Sequence, residues 1–337
     1  MKLKHLGRSL MNRFGGMLAV LSLVSVLVFI LTRLAAGDPI ALLLGDQASL
    51  QDIALARQRY GLDQPLLTQF IYWATEILQG NLGQSIFLQM PVTQVLLDRV
   101  EPTLTLAVLA VSMAMLIGVP CGIAAAVWRG QWIDQCVSTL AMLGASMPSF
   151  WMGLVLIQLL AVGAGWFPVS GYGDPGATWA TRLHHLLLPA FVLGTLNSAL
   201  IIRFTRASML DILNEDYIRT ARSKGLSEIS VVLNHGLRNA LVPILTVLGL
   251  TLALMIGGAV VTETVFNLPG LGNLVVRAVL RRDYPIIQGA LLAIATSIIL
   301  AAIRFIVFPF NGEAQTGLST RIYALRTRRA FAYSVRL

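Results

Sequence analysis

Charge is what this chain most lacks. Of 337 residues only 12% are Asp, Glu, Lys or Arg, against 56% hydrophobic, and the mean hydropathy is +0.75. Soluble domains run near a quarter charged, so a water-soluble fold is excluded. There are two cysteines, Cys121 and Cys136, each in or beside an apolar run, which rules out a disulfide framework and leaves both as small packing residues. Lysine occurs three times and never after glycine, so no phosphate-binding G-x-x-x-x-G-K-[ST] loop exists and the chain hydrolyses no nucleotide by that route. With four histidines, and only His184 and His185 adjacent at a segment entrance where helical neighbours do not share a face, no metal or catalytic cluster is expected.

What is present in excess is apolar sequence gathered into runs. About 20 helical residues cross a bilayer core, and six runs reach or approach that length: 15–34, 103–127, 137–163, 186–202, 241–261 and 286–310. None contains a carboxylate, and Arg304 is the one charge in the last. The runs are continuous rather than alternating, so they predict helices, not barrel strands. The expected fold is all-α, a single polytopic membrane domain over 15–310 with six transmembrane helices. A basic N-terminal tail (1–14) precedes it and a basic tail (311–337) follows. The first run is longer than a signal peptide's apolar core, and five more follow it, so cleavage is not expected.

Basic residues set the orientation. With the N-terminus inside, 17 Lys and Arg fall on the cytoplasmic side and 8 outside, while 10 acidic residues fall outside and 6 inside. The formal net charge of +9 is therefore a topology signal rather than a nucleic-acid one. Segment 38–102 is then a long outside stretch. Within it Leu67, Phe70, Ile71, Ala74, Ile77 and Leu78 follow helical spacing, giving an amphipathic helix that either packs on the spans or lies at the membrane surface through Tyr72 and Trp73. Segment 164–185 is rich in Gly and Pro and reads as a loop.

The cytoplasmic stretch 203–243 carries the most pattern. A short helix is predicted over Tyr217 to Lys224, ending at Gly225, with a new start at Ser227 and Glu228. Asp216-Tyr217-Ile218-Arg219-Thr220-Ala221-Arg222-Ser223-Lys224-Gly225-Leu226, with His235-Gly236-Leu237-Arg238-Asn239-Ala240-Leu241-Val242-Pro243 after it, resembles the coupling loop of the dipeptide/oligopeptide/nickel permeases of ABC importers. In the general importer pattern, E-A-A, three residues, G, nine residues, I-x-L-P, Ala221, Gly225 and Leu237 match. Arg219, Thr220, His235 and Arg238 replace Glu, Ala, Ile and Pro, as is typical of the peptide/nickel branch.

The resemblance extends over residues 10–295, through Gly37-Asp38-Pro39, Tyr60-Gly61-Leu62-Asp63-Gln64-Pro65, Ser146-Met147-Pro148-Ser149-Phe150-Trp151, Glu263-Thr264-Val265-Phe266-Asn267-Leu268-Pro269-Gly270-Leu271-Gly272 and Arg282-Asp283-Tyr284-Pro285. It implies a type I importer permease in a bacterial inner membrane, with both termini cytoplasmic, no catalytic residue and no cofactor. It also implies partners: a second homologous permease, two ATP-binding subunits, an extracytoplasmic substrate-binding protein, and the lipid bilayer. Asp216, Arg219, Thr220, Ala221, Arg222, Gly225, Leu237 and Arg238 are the implied ATPase-coupling residues, Ala221 by permitting close approach. A solvated basic loop retained only for topology is the competing reading. Ser146, Pro148, Ser149 and Asn197 are candidates to line the translocation path, with a purely structural kink as the alternative at Pro148. Peptides are the first expectation for cargo; nickel chelates, glutathione and sugars stay open. An ion-coupled carrier or a membrane enzyme would need ionisable residues at membrane depth that the runs do not supply. The family ending stops soon after Leu300, which gives the expectation that the reading frame changes near Ala301 to Arg304 and the tail is an out-of-frame translation; a basic juxtamembrane tail attracted to anionic lipid is the alternative.

Overall fold

The computed structural model describes residues 2–34, 39–44 and 49–313. Among them every regular element is a helix, and one isolated bridge, Gln84 to Pro91, lies in the connection before the longest helix. The Gly37-Asp38 turn and the tail from 314 onward, with its expected change of frame, lie outside the described residues, as does the side chain of Arg304. In order come α1 (Lys2–Leu34), α2 (Pro39–Leu44), α3 (Leu50–Arg59), α4 (Leu66–Leu78), α5 (Val92–Val127), α6 (Trp132–Ser146) and α7 (Ser149–Leu156), the last continued by a π-helical turn, Ile157–Gly163. Then follow α8 (Trp179–Leu213), α9 (Asp216–Ser223), α10 (Glu228–Ser230) with a second π turn, Val231–Leu237, and α11 (Arg238–Val265), α12 (Leu271–Arg281) and α13 (Tyr284–Glu313).

Helices α5 and α8 form the most extensive pairing, and small residues make it. Ala110, Ala114, Gly118, Gly122 and Ala126 recur every fourth position of α5, so they share one face, and all five are buried. A Cβ on Gly118 would stand 2.7 Å from the Ile201 side chain; one on Gly122 would stand 2.6 Å from that of Thr205. From the other side, a Cβ on Gly194 would meet the Ala110 carbonyl at 2.7 Å. Lipid tails remove the hydrophobic drive for helix association, so contact between backbones and close van der Waals packing must hold the pair. Leu186, Val192, Ile201, Ile244, Met255 and Ala259 extend this core across α8 and α11. A second cluster gathers Val92, Val95 and Leu96 of α5 with Leu271, Leu274 and Ala278 of α12 and Tyr284 and Ile287 of α13. Large apolar side chains such as Leu23, Leu116 and Leu140 remain exposed at 60%, 72% and 67%, as a lipid-facing surface requires.

The expected count of six spans is not confirmed among the described residues. Four helical stretches are long and apolar enough to cross a membrane (Gly15–Leu34, Val92–Val127, Trp179–Leu213 and Glu228–Val265), and a fifth is reached if the α6–α7 pair counts as one span. The sixth expected run, 286–310, lies within α13, of which Tyr284–Leu300 is the apolar stretch with described side chains. The third expected span, 137–163, with a kink anticipated at Pro148, is two helices meeting at 98°. Pro148 is the reason: it has no N–H to donate, and it drives Met147 into extended backbone, φ −79° and ψ 132°. The apolar runs also understate the helices, since α5 starts eleven residues before Thr103 and α8 continues to Leu213. Two buried carboxylates follow from that, Glu263 near the end of α11 and Asp134 in the first turn of α6, where the runs alone had none.

The predicted amphipathic helix is α4. None of its residues is fully buried, yet Phe70 and Trp73 pack on Phe29 of α1 with ring centroids 5.2 and 5.5 Å away. His184 and His185 hold the 164–178 loop through the Trp166 and Gly171 carbonyls, at 3.0 and 3.2 Å. No metal-holding group of His, Cys, Asp and Glu occurs among the described residues.

Candidate functional site

The loop between α8 and α11 is a compact hairpin, built on α9. Its helix breaks at Gly225, whose φ is +78° and where a Cβ would touch nothing within 4 Å, so conformation alone and not space favours glycine there. Ser227 restarts the chain by accepting from the Ser230 N–H. Ile218 and Ala221 of α9 are buried, facing Val231 and Leu213. Gly236 lets the return segment close on α8: a Cβ would stand 3.1 Å from Met209 Cε and 3.3 Å from Leu213 Cδ2.

The outer face of α9 is polar and exposed. Asp216 and Arg219 form a loose ion pair at 3.7 Å, and the Thr220 hydroxyl donates to the Asp216 carbonyl at 3.0 Å. Arg222 donates to Glu228 through Nε at 3.0 Å and Nη2 at 2.6 Å, a bidentate pair bridging the turn at Gly225. The carboxylate of Glu228 holds the guanidinium above its usual value. Tyr217 accepts from Asn239 Nδ2 at 3.0 Å, tying α9 to the start of α11; burial pushes its phenol up.

The predicted coupling residues therefore separate by face. Asp216, Arg219, Thr220, Arg222 and Gly225 are exposed together on one short element. Ala221 turns inward, so its small size serves the closure of the hairpin on itself. Leu237 is half-buried against the main core, and Arg238 is exposed at the first turn of α11.

The proposed path residues are less collected. Pro148 caps α7 rather than sitting inside a helix, and Ser149 begins that helix. The Ser146 hydroxyl and the Asn197 amide each donate to their own helix, to Met142 and Leu193 carbonyls at 2.8 Å, and no hydrogen bond joins the two.

Three buried polar knots escaped the sequence reading. Asp134 receives the Arg206 guanidinium at 2.7 Å on both oxygens and the Gly130 N–H at 2.9 Å, pinning the α5–α6 turn to α8. Glu263 accepts from the Thr103 hydroxyl at 2.6 Å and the Asn273 N–H at 3.0 Å, and Thr103 accepts from the Leu271 N–H at 2.8 Å. Gly270 lies so close that a Cβ would overlap the Glu263 carboxyl. Asp283 accepts from the Ser85 hydroxyl and from the Ile86 and Phe87 N–H groups. The one available signal was the place of Glu263 and Asp283 in the Glu263–Gly272 and Arg282–Pro285 blocks; Asp134 and Arg206 carried none.

Residues 118–311 match the family described as binding-protein-dependent transport system inner membrane component, and residues 6–107 match the N-terminal part of such membrane components. A probable peptide ABC transporter permease, y4tP of Sinorhizobium fredii, is 45% identical over 86% of this chain and 93% of its own length. The glutathione transport system permease GsiC is 45% identical in Salmonella choleraesuis and 44% in Escherichia coli K12, each over 86% of this chain and 92% of the relative. Among solved structures, the inward-facing MetNI methionine ABC transporter superposes with a TM-score of 0.51 at 19% identity, covering 64% of this chain and 96% of that one. The small-residue seam, the broken third segment and the α9 hairpin are thus parts of a transport subunit rather than an enzyme, and the chain belongs to the binding-protein-dependent transport system inner membrane components, the permeases of ABC importers.

Proposed function

We propose that this permease forms half of a peptide-conducting path and that α9 with its flanking turn is the element through which a separate ATPase drives it. The observation that carries the reading is the division of α9 into an inward face, Ile218 and Ala221, fixed to the membrane helices, and an outward face of Asp216, Arg219, Thr220 and Arg222 left for a partner. A short helix anchored in this way moves as a body with α8 and α11. A push on its outer face is then transmitted to the spans, as a rigid element between two sites can do. The second permease, two ATPases inside and a substrate-binding protein outside complete the assembly; segments 38–102 and 164–185 are the proposed outside docking loops, and both termini lie inside. Peptide cargo, glutathione included, is supported by the names of the relatives; a nickel chelate or another small solute is the alternative.

Gly225 supplies the test. Valine there forces a β-branched side chain to positive φ, whereas asparagine enters that region at smaller cost, and left-handed backbone costs an ordinary residue about 1–2 kcal/mol. In the purified complex Gly225→Val is expected to lose the ATPase or to lower peptide uptake by about tenfold, with membrane insertion intact, while Gly225→Asn retains most uptake. Normal ATPase retention and uptake in the valine variant would remove the loop from this role.

A further inference from the structure

Three arginines converge on the outside end of the molecule, against the charge bias that set its orientation. Arg99 of α5 and Arg277 and Arg281 of α12 line one open cavity of about 130 Å³, with Phe87 and Leu274 as apolar lining. Arg277 and Arg281 are four residues apart, one turn of the same helix face. Arg277 is held in place by neutral acceptors, its Nε donating to Asn273 Oδ1 at 2.8 Å and its Nη2 to Asn267 Oδ1 at 2.7 Å, so its charge is positioned but not cancelled. The guanidinium groups of Arg99 and Arg281 have no hydrogen-bond or ion-pair partner among the described residues; the Arg99 carbonyl accepts from the Thr103 hydroxyl at 3.4 Å. The carboxylate that also lines the cavity, Asp283, is buried and occupied. Arg282 takes left-handed backbone, φ +57°, which turns the chain so that Asp283 reaches under the 85–87 segment and accepts three donors there.

We propose that Arg99, Arg277 and Arg281 form a carboxylate-receiving pocket in which an acidic side chain of the extracytoplasmic substrate-binding protein docks. The inference rests on the importer reading above and adds a site to it, since α12 lies outside the two loops named there. Guanidinium groups pair with carboxylates bidentately, and a cavity with apolar walls raises the strength of such a pair over one on open surface. Charge complementarity fixes the occupant as an anion, and an open mouth bordered by Phe87 and Leu88 makes the site continuous with segment 38–102. Charged contacts of this kind govern encounter, register and salt dependence of an interface.

The experiment uses the complete transporter in discs of zwitterionic lipid, with its substrate-binding protein as the probe, and measures dissociation constants at low and raised salt. Arg281→Gln is expected to weaken binding about tenfold and to flatten the salt dependence, Arg99→Gln/Arg281→Gln to weaken it further, and Arg281→Lys to recover much of the loss. Subunit retention on size-exclusion chromatography shows that each variant is assembled, and the lysine variant keeps the test informative if glutamine disturbs folding. Wild-type affinity and salt dependence in both glutamine variants would overturn the pocket while leaving the importer reading intact. So would variants whose binding defect is reproduced in wild type merely by changing the lipid charge, which would assign the arginines to a lipid headgroup. Failure of the wild-type transporter to bind any substrate-binding protein would overturn the importer reading itself, and the pocket with it.

Discussion

At the scale of single residues, the strongest constraints fall where a polar group is buried with its partners supplied by distant chain. Glu263 is fully buried, and the two hydrogen bonds its carboxylate accepts from Thr103 and Asn273 join α5, α11 and the first turn of α12. Glu263→Ala would strand the Thr103 hydroxyl and the Asn273 N–H and leave a hole under Gly270; it is expected to cost about 3 kcal/mol, read as a lowered unfolding temperature of the purified subunit. Thr103→Val removes one donor to the same carboxylate at nearly constant volume and should cost about 1–2 kcal/mol. If both variants melt with the wild type, the knot contributes nothing to stability. None of this was legible in the sequence, because Thr103 and Glu263 are 160 positions apart and no periodicity links them. Gly225 was legible for the opposite reason: a helical pattern, a glycine and a serine restart are all local signals, and the observed φ of +78° realises them.

At the scale of elements, the α5–α8 pair holds the molecule together through what is missing from its surface. Glycine and alanine at every fourth position remove side chains that would part the helices, and the gain is packing rather than dehydration. Gly122→Leu would drive a side chain into Thr205 and the Ile202 carbonyl, 2.6 and 2.9 Å from the added Cβ. Backbone cannot yield there, so the variant is expected to lose several kcal/mol and to give little assembled subunit after detergent extraction. Gly144→Leu, at a position with nothing within 4 Å, should extract like wild type. Equal yields for the two variants would contradict the seam. Apolar runs announced these helices but not their ends, since polar residues such as Asp98 and Glu101 continue α5 beyond the uncharged stretch. The break between α6 and α7 was half announced: Pro148 marked a kink, and the uninterrupted apolar composition on both sides hid that the bend reaches 98°.

At the scale of the whole molecule, three surfaces stand apart, the exposed apolar belt, the arginine pocket and the α9 hairpin, and the neighbours proposed for them are lipid, an extracytoplasmic protein and an ATPase. Hydropathy announced the apolar belt and the Tyr217–Gly225 pattern announced the short helix and its turn, and the family comparisons agree with the resemblance those residues carried. Neither disclosed the arginine pocket, because Arg99 and Arg281 belong to different helices and meet only in the fold. The central claim is that α9 presents its outer face to the ATPase. With Cys121 and Cys136 replaced by alanine, a single cysteine at the exposed Thr220 provides the direct measurement: cross-linking to the ATPase subunit in the intact transporter, with and without ATP. A cross-link whose yield changes with ATP is the expected result, and an assembled, transporting complex in which Thr220→Cys labels freely with a water-soluble maleimide and never cross-links to the ATPase would contradict it.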